Sequence, residues 1–223
     1  AAAAVMKVFD DAGIPVVSID VVHPNAVFLG ADNYGSGFIA GQAAAEHAKS
    51  KGRCGDVSVL VGINPSEGEA ANERLSGFID GVQTVCGVLS ANHIDDVLID
   101  AANSDQALTV GTDWLTAHPG AGFVLATTIG DARSVGISQA LTQSDREGVV
   151  VGIGCDEIGI APTRVPVEKN HFLGCVAFYP EKYPDYAISL AADILEGKAV
   201  PQEVHLSHNF LGINEINNVY PAQ

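Results

Sequence analysis

The chain has 223 residues, 47% of them hydrophobic, and 27 acidic against 11 basic side chains give a formal net charge of −16 at pH 7. That length and apolar content suit one large domain or two small ones around a buried core, and exclude a disordered chain. The negative charge argues against nucleic acid and anionic membrane surfaces as partners, and no apolar run approaches the ~18 residues of a spanning helix.

In chain order, "AAAAVMKVFDDAG" reads as a helix over residues 1–12 stopped by Gly13. It has no cap and no strand before it, and a parallel β-α unit needs one, so upstream polypeptide is expected. No charged n-region with an apolar h-region is present, so any targeting segment is expected to have been removed or to lie upstream. Strands are expected at 15–20, 27–32, 56–62, 93–100, 122–128, 148–154, 171–178 and 203–210, with helices at 37–50, 69–86, 104–117, 131–143, 157–167 and 181–196. Runs such as "VVVGIG" are apolar on both faces, which fits parallel strands covered by helices on each side. The class is doubly wound α/β. Local punctuation agrees: Ser104 is placed as an N-cap, Pro180 near a first turn and Gly197 at a C′ position. Pro184 is tolerated because first-turn amides lack intrahelical partners.

Three glycines in "NYGSGFIAG", Gly35, Gly37 and Gly41, raise the question of a dinucleotide loop. The fingerprint needs G-x-G-x-x-G and an acidic residue about 20 positions on, at the end of the next strand. Here the third glycine is one place late and Asp56 opens a strand, so the glycines are assigned to a turn and to close helix packing. A helix start near Gly68 could bind an anion, but Glu67 and Glu69 would repel phosphate. Asp95 and Asp96 read as a solvated loop edge. There is no G-x-S-x-G elbow, and the seven histidines are scattered. His205 and His208, three apart in a strand-like run, fall on opposite faces and make a poor metal pair. No catalytic constellation and no cofactor are expected.

A resemblance covers essentially the whole chain. "IPVVSID", "GADNYGSGFIAGQAAAEHA", "ANERLSGFIDGV", "LTAHPGAGFVLATT", "VVVGIGCDE" and "CVAFYPEKYPDYAISLAADILEGKAVPQEV" resemble, in order, segments of type I periplasmic binding proteins. The likeness is strongest to the ribose-binding-protein-like sugar-binding components of ABC importers. It implies two doubly wound lobes that close on a small polar ligand, a sugar or polyol, and pass it to a membrane permease. It implies a periplasmic or extracellular location, with a possible tether through a segment outside this chain. On this pattern residues 1–31 and 179–210 form a first lobe that is incomplete here, and 32–178 with 211–223 form a complete second lobe. The family's N-terminal β-α units are then a missing segment of the same protein, and tight binding by this chain alone is not expected. The effector core of LacI-type repressors shares the fold and is the alternative. The ending "FLGINEINNVYP" and the lack of a helix-turn-helix or basic segment favour transport.

The resemblance also implies a site. Asp20 ends "VVSID" and matches the family's hydroxyl-binding aspartate at a strand end, with capping of the next turn as the alternative. Val21 stands where ribose-type proteins carry an arginine, so ribose itself is not expected. Arg74 matches a ligand-binding arginine, the alternative being a surface ion pair with Glu69 or Glu73. Asp156 resembles a family aspartate, with Gly154 or Cys155 as other alignments, and Thr128 to Asp131 lie where the family has an asparagine. Phe178 and Tyr179 occupy the last crossing, where an aromatic ring would either stack on the ligand or pack in the core. In an exported protein the four cysteines are expected to pair as Cys54–Cys86, at the sheet edge away from the ligand, and Cys155–Cys175. Four buried free thiols are the alternative.

Overall fold

A computed structural model describes residues 2–222. Its elements are α1 (Ala2–Asp11), β1 (Val16–Ile19), β2 (Ala26–Ala31), α2 (Asn33–Ser50), β3 (Val57–Ile63), α3 (Glu69–Cys86), β4 (Ile94–Leu98), α4 (Ser104–Ala117) and β5 (Phe123–Thr128). They continue with α5 (Asp131–Gln143), β6 (Gly148–Gly154), α6 (Glu157–Thr163), α7 (Val167–Asn170), β7 (Phe172–Ala177), α8 (Tyr183–Leu195), β8 (Glu203–Leu206), β9 (Asn209–Gly212) and α9 (Ile216–Val219). Two compact units result. Unit 1 runs up to Asp32 and resumes over Phe178–Ser207; unit 2 is Asn33–Ala177 and the chain from His208 on.

Unit 1 is a three-stranded sheet in the order β1-β2-β8, parallel throughout. Leu29 of β2 and Leu206 of β8 pack on Tyr183 and Leu190 of α8 to form its core.

Unit 2 is a six-stranded sheet in the order β4-β3-β5-β6-β7-β9, parallel except for β9, which runs against β7. Strands β5 and β6 are buried almost end to end because both faces are covered. Leu60, Val124 and Val150 face Trp114, Ile137 and Leu141 of helices α4 and α5. The alternating residues Val59, Leu125 and Val149 are as deeply buried and point to the other face. There α2 brings His47 onto Phe123, ring centroids 6.2 Å apart.

The glycine cluster does not serve a turn. Helix α2 begins at Asn33, so Gly35, Gly37 and Gly41 lie inside it, and Gly37 and Gly41 mark its contact with α3. A Cβ on Gly37 would sit 1.8 Å from the Arg74 carbonyl oxygen, and one on Gly41 2.0 Å from that of Phe78. The relation is reciprocal, since Gly77 and Gly81 of α3 face the carbonyl oxygens of Tyr34 and Phe38 at 2.1 and 2.3 Å. Each glycine costs a helix about 1 kcal/mol relative to alanine; backbone-to-backbone approach is what that cost secures.

Three other expectations are corrected. The run 203–210 is two strands, and the break at Ser207–His208 sends β8 and β9 into different sheets. His205 and His208 therefore share no strand: His205 lies 3.2 Å from Glu203, and buried His208 meets the Ala177 carbonyl. The helix expected at 157–167 divides into α6 and α7, because Pro166 lacks an amide hydrogen and disfavours a helical Val165. Helix α4 is capped by Asn103 rather than Ser104, with the Asn103 side chain accepting from the Gln106 amide at 3.0 Å.

The cysteines pair as expected, Cys54 with Cys86 and Cys155 with Cys175, with Cα separations of 4.9 and 5.1 Å. Among the described residues no group of three or more His, Cys, Asp and Glu side chains could hold a metal ion, and no helix is long and apolar enough to cross a membrane.

Candidate functional site

Strands β3, β5 and β6 lie side by side in unit 2, and the helices that follow them start beyond their C-terminal ends. Doubly wound sheets bind ligands at that edge. Arg74, in the second turn of α3, donates through Nε to Asn33 Oδ1 at 2.8 Å and through Nη1 to the Ile129 carbonyl. Both acceptors lie in unit 2, one at the start of α2 and the other just past β5. These bonds set the guanidinium's orientation from two sides.

Asp156 is the N-cap of α6, its Oδ1 accepting from the amides of Ile158 at 2.8 Å and Gly159 at 3.2 Å. The side chain is exposed, and Oδ2 has no hydrogen-bond partner among the described residues. Asp131, the first residue of α5, is only 2% exposed. Its Oδ2 accepts from the Asp156 amide at 2.8 Å. Burial pushes its carboxyl up to about 7, and the neighbouring Asp156 charge adds to that, while the Asp156 and Cys155 amides and the Arg74 charge oppose it. Thr128 is fully buried. Its hydroxyl donates to the Gly130 carbonyl at 2.8 Å and lies 2.9 Å from Ser134 Oγ. Thr128 shapes the turn behind this surface rather than forming part of it.

In unit 1, Asp20 sits just past β1 in the left-handed region, φ +58°. Its Oδ1 accepts from the Ala31 amide at 3.1 Å and from the Tyr183 hydroxyl at 3.0 Å. One carboxylate oxygen thereby ties the ends of β1 and β2 to the start of α8. Phe178 is half-buried. Tyr179 is buried, also left-handed at φ +53°, and carries the Lys182 ammonium 4.0 Å from its ring centroid.

Several supporting residues escaped the sequence reading. Asn33 orients Arg74. Asn64, past β3, is buried and accepts from the Ser66 amide while donating to Glu67 and the Asp100 carbonyl. Glu67 in turn accepts from buried Arg133 at 2.6 Å, which pins the loop after β3 to the first turn of α5. The Asn64-Pro65 pair was a readable turn signal. The Glu67–Arg133 pair, 66 positions apart, has no local signature. A cleft of about 300 Å³ lined by His47, Arg53, Phe123, Glu147 and His171 opens at the N-terminal edge of the same sheet and includes none of these residues.

A doubly wound unit with an arginine and an exposed carboxylate past its strand C-terminal ends presents polar groups where such sheets bind ligands. Residues 1–199 match the family model described as a periplasmic binding protein domain, and the chain belongs to that family, whose members bind solutes and are not enzymes. The fold is that of type I periplasmic binding proteins, with three strands of the first lobe and six in the second. Membership implies a periplasmic or extracellular location. Similar solved structures include a periplasmic solute-binding protein from Actinobacillus succinogenes with bound D-allose. It has 18% identity and a TM-score of 0.74, and the match covers 95% of this chain and 74% of that one. A solute-binding protein from Mycobacterium smegmatis with bound glycerol has 24% identity and a TM-score of 0.72, covering 98% and 72%. One from Agrobacterium vitis with bound allitol has 22% identity and a TM-score of 0.74, covering 96% and 72%. No curated protein sequence matches the chain.

Proposed function

We propose that the protein captures a small polar solute, a sugar or polyol, and delivers it to the membrane permease of an ABC importer. The observation that carries this reading is a braced guanidinium, Arg74, and an exposed carboxylate, Asp156, at the same strand-end edge of unit 2, past β3 and β6, the two strands that flank β5. A polyhydroxylated ligand offers each hydroxyl as both donor and acceptor, so it needs a donor fork and a carboxylate acceptor in one place. The D-allose, allitol and glycerol held by the similar proteins share that chemistry. Asp20, Phe178 and Tyr179 of unit 1 join the proposed contact set on the family resemblance, as acceptor and aromatic faces. Thr128 and Asp131 support it from beneath.

A thermal-shift screen of hexoses, pentoses and their alditols against the full-length protein tests this reading. A bound solute raises the midpoint in proportion to RT ln(1 + [L]/Kd), and both Arg74→Ala and Asp156→Asn should abolish the rise. No shift with any saccharide or polyol would reject the proposal.

A further inference from the structure

We propose that Asp131 is a positioning residue: its buried carboxylate holds the main-chain amide of Asp156 and, through it, the loop that presents the Asp156 side chain. The proposal deepens the reading of Asp156 as a solute contact and rests on it.

The space for this carboxylate is built into two elements. A Cβ on Gly152 of β6 would lie 2.1 Å from Asp131 Oδ1, one on Gly159 of α6 2.5 Å from Cγ, and one on Gly154 3.3 Å from Oδ2. Alanine at Gly152 or Gly159 would collide with the group. The carboxylate spends Oδ2 on the Asp156 amide, while Oδ1 is buried without a hydrogen bond. A buried polar atom left unpaired is costly, so the arrangement is not explained by stability.

The loop it holds needs holding. Gly154 has φ +124° and Cys155, a non-glycine residue, φ +59°. Such conformations persist only where the surroundings determine them. Cys155 is tethered on one side by its disulfide to Cys175 of β7, and Asp131 supplies the restraint on the next residue. The charged groups acting on it are Asp156 on the loop and Arg74 of α3, of opposite sign. Burial places its titration near neutral pH, and the ionised form is the stronger acceptor for an amide hydrogen. The grip on Asp156 should therefore tighten as pH rises through 7.

The test follows the Asp156 amide in nitrogen-15 correlation spectra of the full chain from pH 5 to 9. The expected result is a resonance that moves with a midpoint near 7 in the native sequence and is flat in Asp131→Asn. In Asp156→Asn, where Asp131 remains but the like charge is gone, the midpoint at position 156 should fall. If Asp131→Asn does not fold, the native and Asp156→Asn titrations decide. A resonance insensitive to pH in the native protein, or an unchanged midpoint in Asp131→Asn, would overturn the proposal. Where D-allose or allitol binds, its affinity should weaken about tenfold below the midpoint, the scale of one hydrogen bond to a charged group, and Asp131→Asn should show no such dependence. If no saccharide or polyol binds the full-length protein, the solute-binding reading is what fails, and the amide titration still decides the role of Asp131.

Discussion

The two units solve the problem of burying a core with unequal means. Unit 2 places helices on both faces of six strands, closes α2 against α3 through paired glycines, and carries both disulfides. Unit 1 has three strands and one small cluster around Leu29, Tyr183, Leu190 and Leu206. It leaves Val8, Val22, Ile188 and Leu195 exposed, the last at 79%. The fraction of surface a domain buries falls with its size, and unit 1, the smaller, shows the consequence. Beside that cluster it has a polar knot, Asp20 accepting from Ala31 and Tyr183.

The largest expected contrast comes from reducing the disulfides. Cys54–Cys86 and Cys155–Cys175 have sequence separations of 32 and 20, and loop-closure entropy assigns each about 3–4 kcal/mol. Urea unfolding followed by Trp114, the single tryptophan and a buried residue of unit 2, should lose about 7 kcal/mol in reductant. Amide exchange in β1, β2 and β8 should hardly change, because unit 1 has no cysteine. An equal loss in both units would break the contrast.

Next in size are the helix-packing glycines. Gly37→Ala or Gly77→Ala drives a methyl group into a backbone carbonyl at 1.8 or 2.1 Å, and neither helix can yield without parting from the other. Each should cost about 3 kcal/mol or more by the same Trp114 assay. The unit 1 counterpart is Gly197→Ala, at φ +73° with nothing within 4 Å of a Cβ. That change meets only backbone strain, about 1 kcal/mol.

These glycines also show what could be read from the sequence. The strand 148–154 and the helices 69–86, 104–117 and 131–143 were legible end to end, because apolar period, caps and breakers coincide there. Gly37 and Gly41 were visible as glycines, but whether they serve a turn or a contact depends on Gly77 and Gly81, some 40 positions away, across a packing that no local pattern encodes. The break within "EVHLSHNF" was hidden for the same reason: it holds no Gly or Pro, and leaving one sheet for another is a tertiary event. In the candidate site, Arg74 and Asp156 could be singled out because "ANERLSGFIDGV" and "VVVGIGCDE" resemble the family's motifs. The burial of Thr128 and Asp131 depends on Ser134, Gly152 and Gly159 arriving from other turns.

A smaller effect sharpens the account of unit 1. Tyr183→Phe deletes the hydroxyl that donates to Asp20 and keeps the ring in the core. The expected cost is about 1 kcal/mol, the net worth of one hydrogen bond, and it should appear as faster amide exchange at Ala31 and in β1, with Trp114 unfolding unchanged. A response in unit 2 as large as that in unit 1 would mean that the units are not separable in stability.

The smallest effect lies within unit 2 and has a sign of its own. Burial lowers the pKa of His47, half-buried beside Phe123, and the Lys51 charge lowers it further, against a smaller opposing pull from Glu168. The unfolded chain then binds a proton more readily than the folded one just below the ordinary histidine value of 6.5, so this group's contribution is present above that pH and is lost as pH falls. Asp131 acts oppositely: its raised pKa lets the folded state keep a proton that the unfolded state has released, so stability declines as pH rises from 3.8 towards 7. His47→Asn should remove under about 1 kcal/mol of acid sensitivity between pH 5 and 7, the screened worth of a partly exposed group. Asp131→Asn should remove a decline of opposite slope over the same interval. Urea midpoints read from Trp114 at half-unit pH steps separate the two: if the His47→Asn difference from the native protein has the same slope as that of Asp131→Asn, the burial of one of these groups has been assigned the wrong consequence.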